Sequence, residues 1–271
     1  DRRAILLLVA ATRQTPERSG MTLRLERASV IRAGTAILND ATLVCQAGRF
    51  TALCGPNGAG KTTALSLLSG ALRTDRGSVS LDGRAIASFN SLDLARRRAV
   101  VAQNSPLSFP FHVHEVVEMG RTPWTGVTGK RRDSEIVADA MAAMEVGELG
   151  ARNYLTLSGG ERQRVNIARA LAQVWDQNEQ GDTRWLLLDE PTSALDLKHQ
   201  IALLALLSKL ARNGWGVVAV LHDLHLVHKH ADQVILFRGG EIFADGTPNE
   251  VLEPSRIQAA YGLDTPYVLA H

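Results

Sequence analysis

Cysteine is almost missing: the 271 residues hold only Cys45 and Cys54. Two thiols make no disulfide framework, and neither has metal-ligand spacing. A reduced compartment fits that usage best. A long apolar run is missing too. The longest early stretch, Ala4 to Ala11, is eight residues, far short of the roughly 20 needed to cross a bilayer. It follows Arg2-Arg3 and so has the outline of a signal peptide, but Met21 opens the first convincing strand pattern. Residues 1–20 therefore read as an upstream extension or a cloning remnant, and 21–271 as the folded unit. Charge of one sign is scarce: 30 Lys and Arg against 28 Asp and Glu leave +2, too little to argue for nucleic acid. Arg96-Arg97-Arg98 and Lys130-Arg131-Arg132 are local exceptions that read as solvated faces or loops. There is no internal repeat and no long heptad run. What remains is an ordinary globular composition, 45% hydrophobic and 21% charged, enough for one large domain with a well-buried core.

From Met21 to Asp82, Leu23, Leu25, Leu43, Phe50, Val79 and Leu81 sit among turn residues such as Ala33-Gly34 and Asp82-Gly83, as strands do. One helix interrupts them, from about Lys61 to Leu72. Ser88 to Ala151 reads as mostly helical, punctuated by Pro106, Pro110, Pro123 and the Gly126–Gly129 loop. The next helix runs from Gly160 to Trp175, with Val165, Ala168, Leu171, Ala172 and Trp175 as its apolar stripe. The polar segment Asp176–Arg184 is a loop. Trp185-Leu186-Leu187-Leu188 and Gly216–Leu221 are continuous apolar runs, the pattern of parallel strands buried on both faces. An amphipathic helix, His199–Ala211, lies between them and is closed by Gly214. From Asp232 a short strand, a turn and a final helix follow. The class is α/β.

Gly55-Pro56-Asn57-Gly58-Ala59-Gly60-Lys61-Thr62 fits the P-loop spacing, between the apolar strand Thr51–Cys54 and a helix. Its glycines let backbone N–H groups turn inward around phosphates, and the helix adds its positive end. Lys61 reaches the β- and γ-phosphates and the Thr62 hydroxyl suits Mg²⁺; Thr63, next in the first turn, belongs to the same cradle. Leu186–Glu190 supplies a partner motif. An Asp at the end of a buried strand is costly unless something satisfies it, and Mg²⁺ would satisfy Asp189. Glu190 follows as a candidate general base toward an attacking water. His222 ends the next apolar strand; alone it would read as a structural histidine. In an open parallel sheet ligands sit beyond the carboxyl ends of the strands, so these motifs converge on one ATP and Mg²⁺ site.

Leu157-Ser158-Gly159-Gly160-Glu161-Arg162-Gln163 resembles the signature of ABC ATPases, about a hundred residues after Lys61. Ser158 with Glu161 is also a capping box, and both readings can hold. The resemblance covers roughly Met21 to the C-terminus. It implies that Ser158, Gly159 and Gly160 meet the γ-phosphate bound by a second copy of the chain. Gln103 matches the Q-loop glutamine, implying a Mg²⁺ and water contact. Ser193-Ala194-Leu195-Asp196 matches the D-loop, which puts Asp196 along the dimer interface. His222-Asp223-Leu224 matches the switch histidine. Lys61, Gln103, Glu190 and His222 are then the catalytic set, and Thr62, Gln103 and Asp189 the metal set. The implied fold is a P-loop NTPase (RecA-like) core with an N-terminal antiparallel β subdomain and a small α-helical subdomain inserted at about 88–160. One departure stands out. The family usually stacks an aromatic on adenine about 25 residues before the P-loop, yet no aromatic lies between Met21 and Phe50. Val30, Arg32 or a neighbour must cover the ring.

A narrower resemblance is to the ATP-binding subunits of heme (hemin) importers. It rests on Val101–Phe111, Val116–Arg121, the polar insert before Trp185, and Asp196-Leu197-Lys198-His199-Gln200. It implies heme uptake through two copies of a transmembrane permease, with a periplasmic heme-binding protein as indirect partner and no nucleic acid. The location implied is peripheral, on the cytoplasmic face of a bacterial inner membrane. Subunits serving ferric siderophores or cobalamin share much of this framework. A chromosome-organising ABC ATPase would insert long coiled coils, a ribosome-associated one would carry two cassettes, and a small-molecule kinase would have no use for Leu157–Gln163. His225, His228 and His230 beside His222 read as a solvated or interface helix face rather than a metal or heme site. Phe109, Phe111 and Trp124, between prolines in the stretch from Gln103 to Arg121 and just past it, are expected to dock the permease or else to close the helical core.

Overall fold

The computed structural model describes residues 21–103, 107–176 and 183–265. The readings placed on residues 1–20, on Asn104-Ser105-Pro106 and on most of the polar insert before Trp185 lie outside the described residues.

Two sheets organise the chain. The first is antiparallel, in the order β2-β1-β4-β5, built from β1 (Thr22–Arg32), β2 (Thr35–Gln46), β4 (Arg76–Leu81) and β5 (Arg84–Ala85). Leu23, Leu25, Leu43, Val79 and Leu81 turn inward and are buried, as alternation on a half-buried sheet requires. Two-residue hairpins close it at Ala33-Gly34 and Asp82-Gly83, where all four residues have φ between 48° and 79°, the backbone hand that matches strand twist.

The second sheet has the order β10-β9-β3-β8-β7-β6. Its strands are β3 (Phe50–Cys54), β6 (Arg98–Val101), β7 (Trp185–Asp189), β8 (Gly216–Val220), β9 (Gln233–Arg238) and β10 (Glu241–Gly246). Neighbours from β9 to β6 are parallel, and β10 is antiparallel to β9. Every residue of β3, β7 and β8 is buried. The one polar side chain within β3, Thr51, donates to Gln233 Oε1 at 3.0 Å. β6 was not anticipated: it lies within the stretch read as mostly helical. Helix α1 (Lys61–Leu68) follows β3, and α2 (Ser91–Arg97) leads into β6.

Between β6 and β7 the chain is helical: α3 (Val113–Glu118), a 3₁₀ segment Met119–Trp124, α4 (Lys130–Ala143) and α5 (Gly159–Gln173). Helices α6 (Leu197–Arg212) and α7 (Leu224–His230) flank β8, and α8 (Pro248–Val251) and α9 (Pro254–Tyr261) finish the fold. Among the described residues no helix is long and apolar enough to cross a membrane.

Two expectations change here. Trp124 is 3% exposed and its indole N–H donates to Gln173 O at 2.7 Å, so it closes the helical core, whereas Phe109 is 68% exposed. The Arg96–Arg98 run is half-buried rather than solvated: Arg96 Nε donates to Pro123 O at 2.8 Å, Arg97 lies over the Phe89 ring, and Arg98 starts β6. The second basic run, Lys130–Arg132, is exposed as expected, and Arg132 pairs with Asp176 at 2.7 Å.

Arg121 ties the helical segment together. Its guanidinium is buried and meets Asp133 at 2.8 Å, Asp176 at 3.1 Å and the Ala172 carbonyl at 2.7 Å. Removing one partner of such a cluster strands the others. Arg121→Ala is expected to lower unfolding free energy by about 3 kcal/mol, read by urea denaturation. A loss under about 0.5 kcal/mol, typical of surface sites, would contradict that role.

Candidate active site

The site forms where four parallel strands end. β3 leads into the P-loop, β6 into Gln103, β7 into Asp189-Glu190 and β8 into His222. An open cavity of about 570 Å³ lies there, lined by Ile37, Asn57, Gly58, Ala59, Gly60, Lys61, Thr62, Thr63, Gln103, Glu190 and His222.

Gly55 and Pro56 lie beneath it and accept hydrogen bonds through their carbonyls from Lys61 Nζ, each at 2.8 Å. The Lys61 side chain therefore folds back across its own loop. Burial pulls its ammonium pKa below the usual lysine value, which favours an anionic partner for the charge. Gly55 has φ +137°, and an added Cβ would stand 2.3 Å from the Phe237 carbonyl oxygen. Only glycine fits.

Glu190 joins three loops. Its Oε1 is 2.7 Å from His222 Nε2 and its Oε2 accepts from Gln103 Nε2 at 2.8 Å. Its backbone sits at φ +48°, a conformation that costs a non-glycine residue roughly 1–3 kcal/mol and is typical of functional sites. The turn is held by Ser193, whose hydroxyl donates to the Glu190 carbonyl at 3.0 Å. Asp189 is buried and accepts from the Thr62 hydroxyl at 3.1 Å. Burial pushes its carboxyl pKa up, against the partial relief of that hydrogen bond. A buried, under-neutralised carboxylate beside a hydroxyl is a donor set that fits Mg²⁺.

Ser158, Gly159, Gly160 and Asp196 do not line this cavity. Ser158 caps α5, with its hydroxyl accepting from Glu161 N–H at 3.3 Å while Glu161 accepts from Ser158 N–H at 2.7 Å. Those bonds hold the Glu161 carboxyl below the usual range. Gly160 packs on the Ser193–Asp196 turn, where a Cβ would come 2.9 Å from Ala194 O. Asp196 caps α6, accepting from His199 N–H at 2.9 Å. The two segments therefore lie against each other.

The adenine expectation needs correction. Val30 is 1% exposed and faces the core, so it cannot cover a base; Arg32 stays exposed. Ile37 on β2 lines the cavity instead. Sequence reasoning missed it, as it missed Tyr261, whose hydroxyl accepts from Gly55 N–H at 3.1 Å. Both meet the loop only through long-range folding and carry no local signal. His228 Nε2 contacts Asn249 Oδ1 at 2.8 Å, and among the described residues no three His, Cys, Asp or Glu are grouped to hold a metal.

A phosphate loop on the central strand of a parallel sheet, with Asp-Glu and His at adjacent strand ends and a flanking antiparallel sheet, defines an ATPase of the P-loop class. The chain belongs to the ABC transporter family, whose model matches residues 38–193. It is 47% identical to the hemin import ATP-binding protein HmuV of Gloeobacter violaceus, covering 86% of this chain and 84% of that one. It is 46% identical to the HmuV of Pseudomonas putida, covering 92% and 95%. Among solved structures it resembles a chain of an inward-facing, putative metal-chelate type ABC transporter, with TM-score 0.73, 27% identity, and 89% and 88% of the two chains covered. A dimeric ATP-binding cassette holding ADP and Pi is also similar, with TM-score 0.72, 25% identity, and coverage of 83% and 98%.

Gly55→Ala tests the loop geometry. The clash and the unfavourable φ should cost about 3 kcal/mol and reduce ATP binding at least tenfold, measured by thermal melting and nucleotide titration. Unchanged affinity would mean that the loop tolerates a shift away from Phe237.

Proposed function

We propose that this chain is the ATP-hydrolysing subunit of an importer that carries heme across an inner membrane through a partner permease. The observation that carries the hydrolytic part is Glu190, poised between Gln103 and His222 at the mouth of the P-loop cavity. The loop amides of Asn57–Thr63 and Lys61 would bind the β- and γ-phosphates, with Lys61 exchanging its two carbonyl partners for phosphate oxygens. Thr62, Asp189 and Gln103 would hold Mg²⁺, which when bound supplies neutralising charge at those phosphates. Glu190 takes a proton from the attacking water, and His222 and Gln103 fix the direction of its carboxylate. Ile37 offers the adenine an aliphatic surface in place of an aromatic ring.

Ser158–Gly160 and Asp196 stand outside the chain's own cavity, which supports a role toward nucleotide held by a second copy. The segment from Gln103 onward follows the γ-phosphate site and exposes Phe109, edge-on to Phe111 at 6.2 Å between ring centroids. An exposed ring pair there is suited to a cytoplasmic helix of the permease. Such a subunit would sit peripherally on the cytoplasmic face. The heme reading leans on relatives at 44–47% identity; a metal-chelate cargo is the second reading, favoured by the structural likeness at 27%.

In Glu190→Gln, ATP affinity should stay within about threefold while turnover falls by about 10²–10⁴, measured by nucleotide titration and phosphate release. Wild-type turnover would remove Glu190 from the base role. Phe109→Ala should leave the isolated subunit's ATPase unchanged yet cut permease association and heme-stimulated ATPase in the reconstituted complex about tenfold. If a ferric chelate stimulates the wild-type complex and heme does not, the second reading prevails.

A further inference from the structure

We propose that Tyr261 is a positioning residue for nucleotide. Its hydroxyl fixes the entry of the phosphate loop, so that the last helix, α9, sets the loop's affinity for phosphates. This rests on the P-loop being the ATP site and adds a control point outside the cavity.

Gly55 is the first residue beyond β3. The strand's pairing ends at Cys54, opposite Leu236 of β9, so the Gly55 N–H lies past the ladder. Gly55 is buried and is not among the cavity-lining residues. A buried amide needs an acceptor from somewhere. Here the acceptor is the Tyr261 hydroxyl at 3.1 Å, from 206 residues further along the chain. The carbonyl of the same residue accepts from Lys61 at 2.8 Å, and the Phe237 carbonyl fills the space where a Cβ would stand. Gly55 is therefore held on three sides, by α9, by Lys61 and by β9.

The cavity-lining part of the loop begins two residues later, at Asn57. A rotation at Gly55 would swing every amide that follows. Gly55 is able to make such a rotation, since glycine has the widest choice of backbone angles. Tyr261 can restrain it because the tyrosine is itself anchored. Ile257 and Ala260 of α9 are buried, the Tyr261 ring packs against the same core, and Gly262 ends the helix at φ +64°. The hydroxyl is thus delivered by a packed helix.

The test is Tyr261→Phe in the full chain, which keeps the ring and its packing and deletes the acceptor. ATP and ADP affinities are expected to weaken together by about fivefold, the scale of one lost hydrogen bond. The kcat at saturating ATP should stay within twofold, because the hydroxyl acts on the loop and not on Glu190. The two nucleotides should move by the same factor, since the loop and not the γ-phosphate is affected. Tyr261→Leu, which removes the ring as well, separates packing from positioning. If Tyr261→Leu lowers the melting temperature while Tyr261→Phe binds both nucleotides like wild type, the tyrosine is a packing residue and the proposal is overturned. A fall in kcat with unchanged affinity would overturn it too. Wild-type chain that binds no ATP would instead sink the functional reading beneath it.

Discussion

A strand covered on both faces has no place for a charged side chain along its length, because nothing there can solvate it. β3, β7 and β8 are covered in this way, and this constraint arranges the rest of the molecule. Charged groups can appear only where the strands leave the sheet. Parallel strands leave it together on one side, so Lys61, Asp189, Glu190 and His222 meet without any element having to bend toward another. The antiparallel sheet answers a different demand. It is buried on one face only, its apolar residues alternate outside the irregular stretch of β1, and it contributes to the pocket through Ile37.

The same constraint explains what could be read directly. Trp185–Leu188 and Gly216–Leu221 announce themselves as buried strands by composition, and the polar residues that end them announce the site. The P-loop is legible because phosphate binding demands glycines and a lysine at fixed spacing. The hairpins were legible for the same local reason, a need for positive φ.

What escaped was non-local. β6 is only four residues, opens with an arginine from a basic run, and is a strand because β7 lies beside it. Val30 was placed by its distance along the chain from the P-loop, and that spacing carries no information on which face of β1 it occupies; register shifts fall between Ala28 and Val30 and again between Val30 and Ile31. Ala28, Ser29 and Val30 are consequently buried in succession, and Val30 is turned away from the nucleotide pocket. Trp124 looked exposed because prolines surround it, yet Gln173 on α5 supplies an acceptor for its indole. Tyr261 and Gly55 stand 206 residues apart, beyond the reach of any window.

Burial holds the two cysteines as firmly as it holds the strands. Cys45 lies in the apolar cluster that joins the two sheets, and Cys54 in the cluster shared with the helices. Both are free, and burial pushes each thiol up to about 12. The thiolate is the form that oxidants and alkylating agents attack, and at neutral pH these side chains hardly supply it. Burial and a raised thiol pKa both disfavour reaction at these two side chains. The few cysteines, which from sequence suggested a reducing compartment, are packed as small hydrophobes.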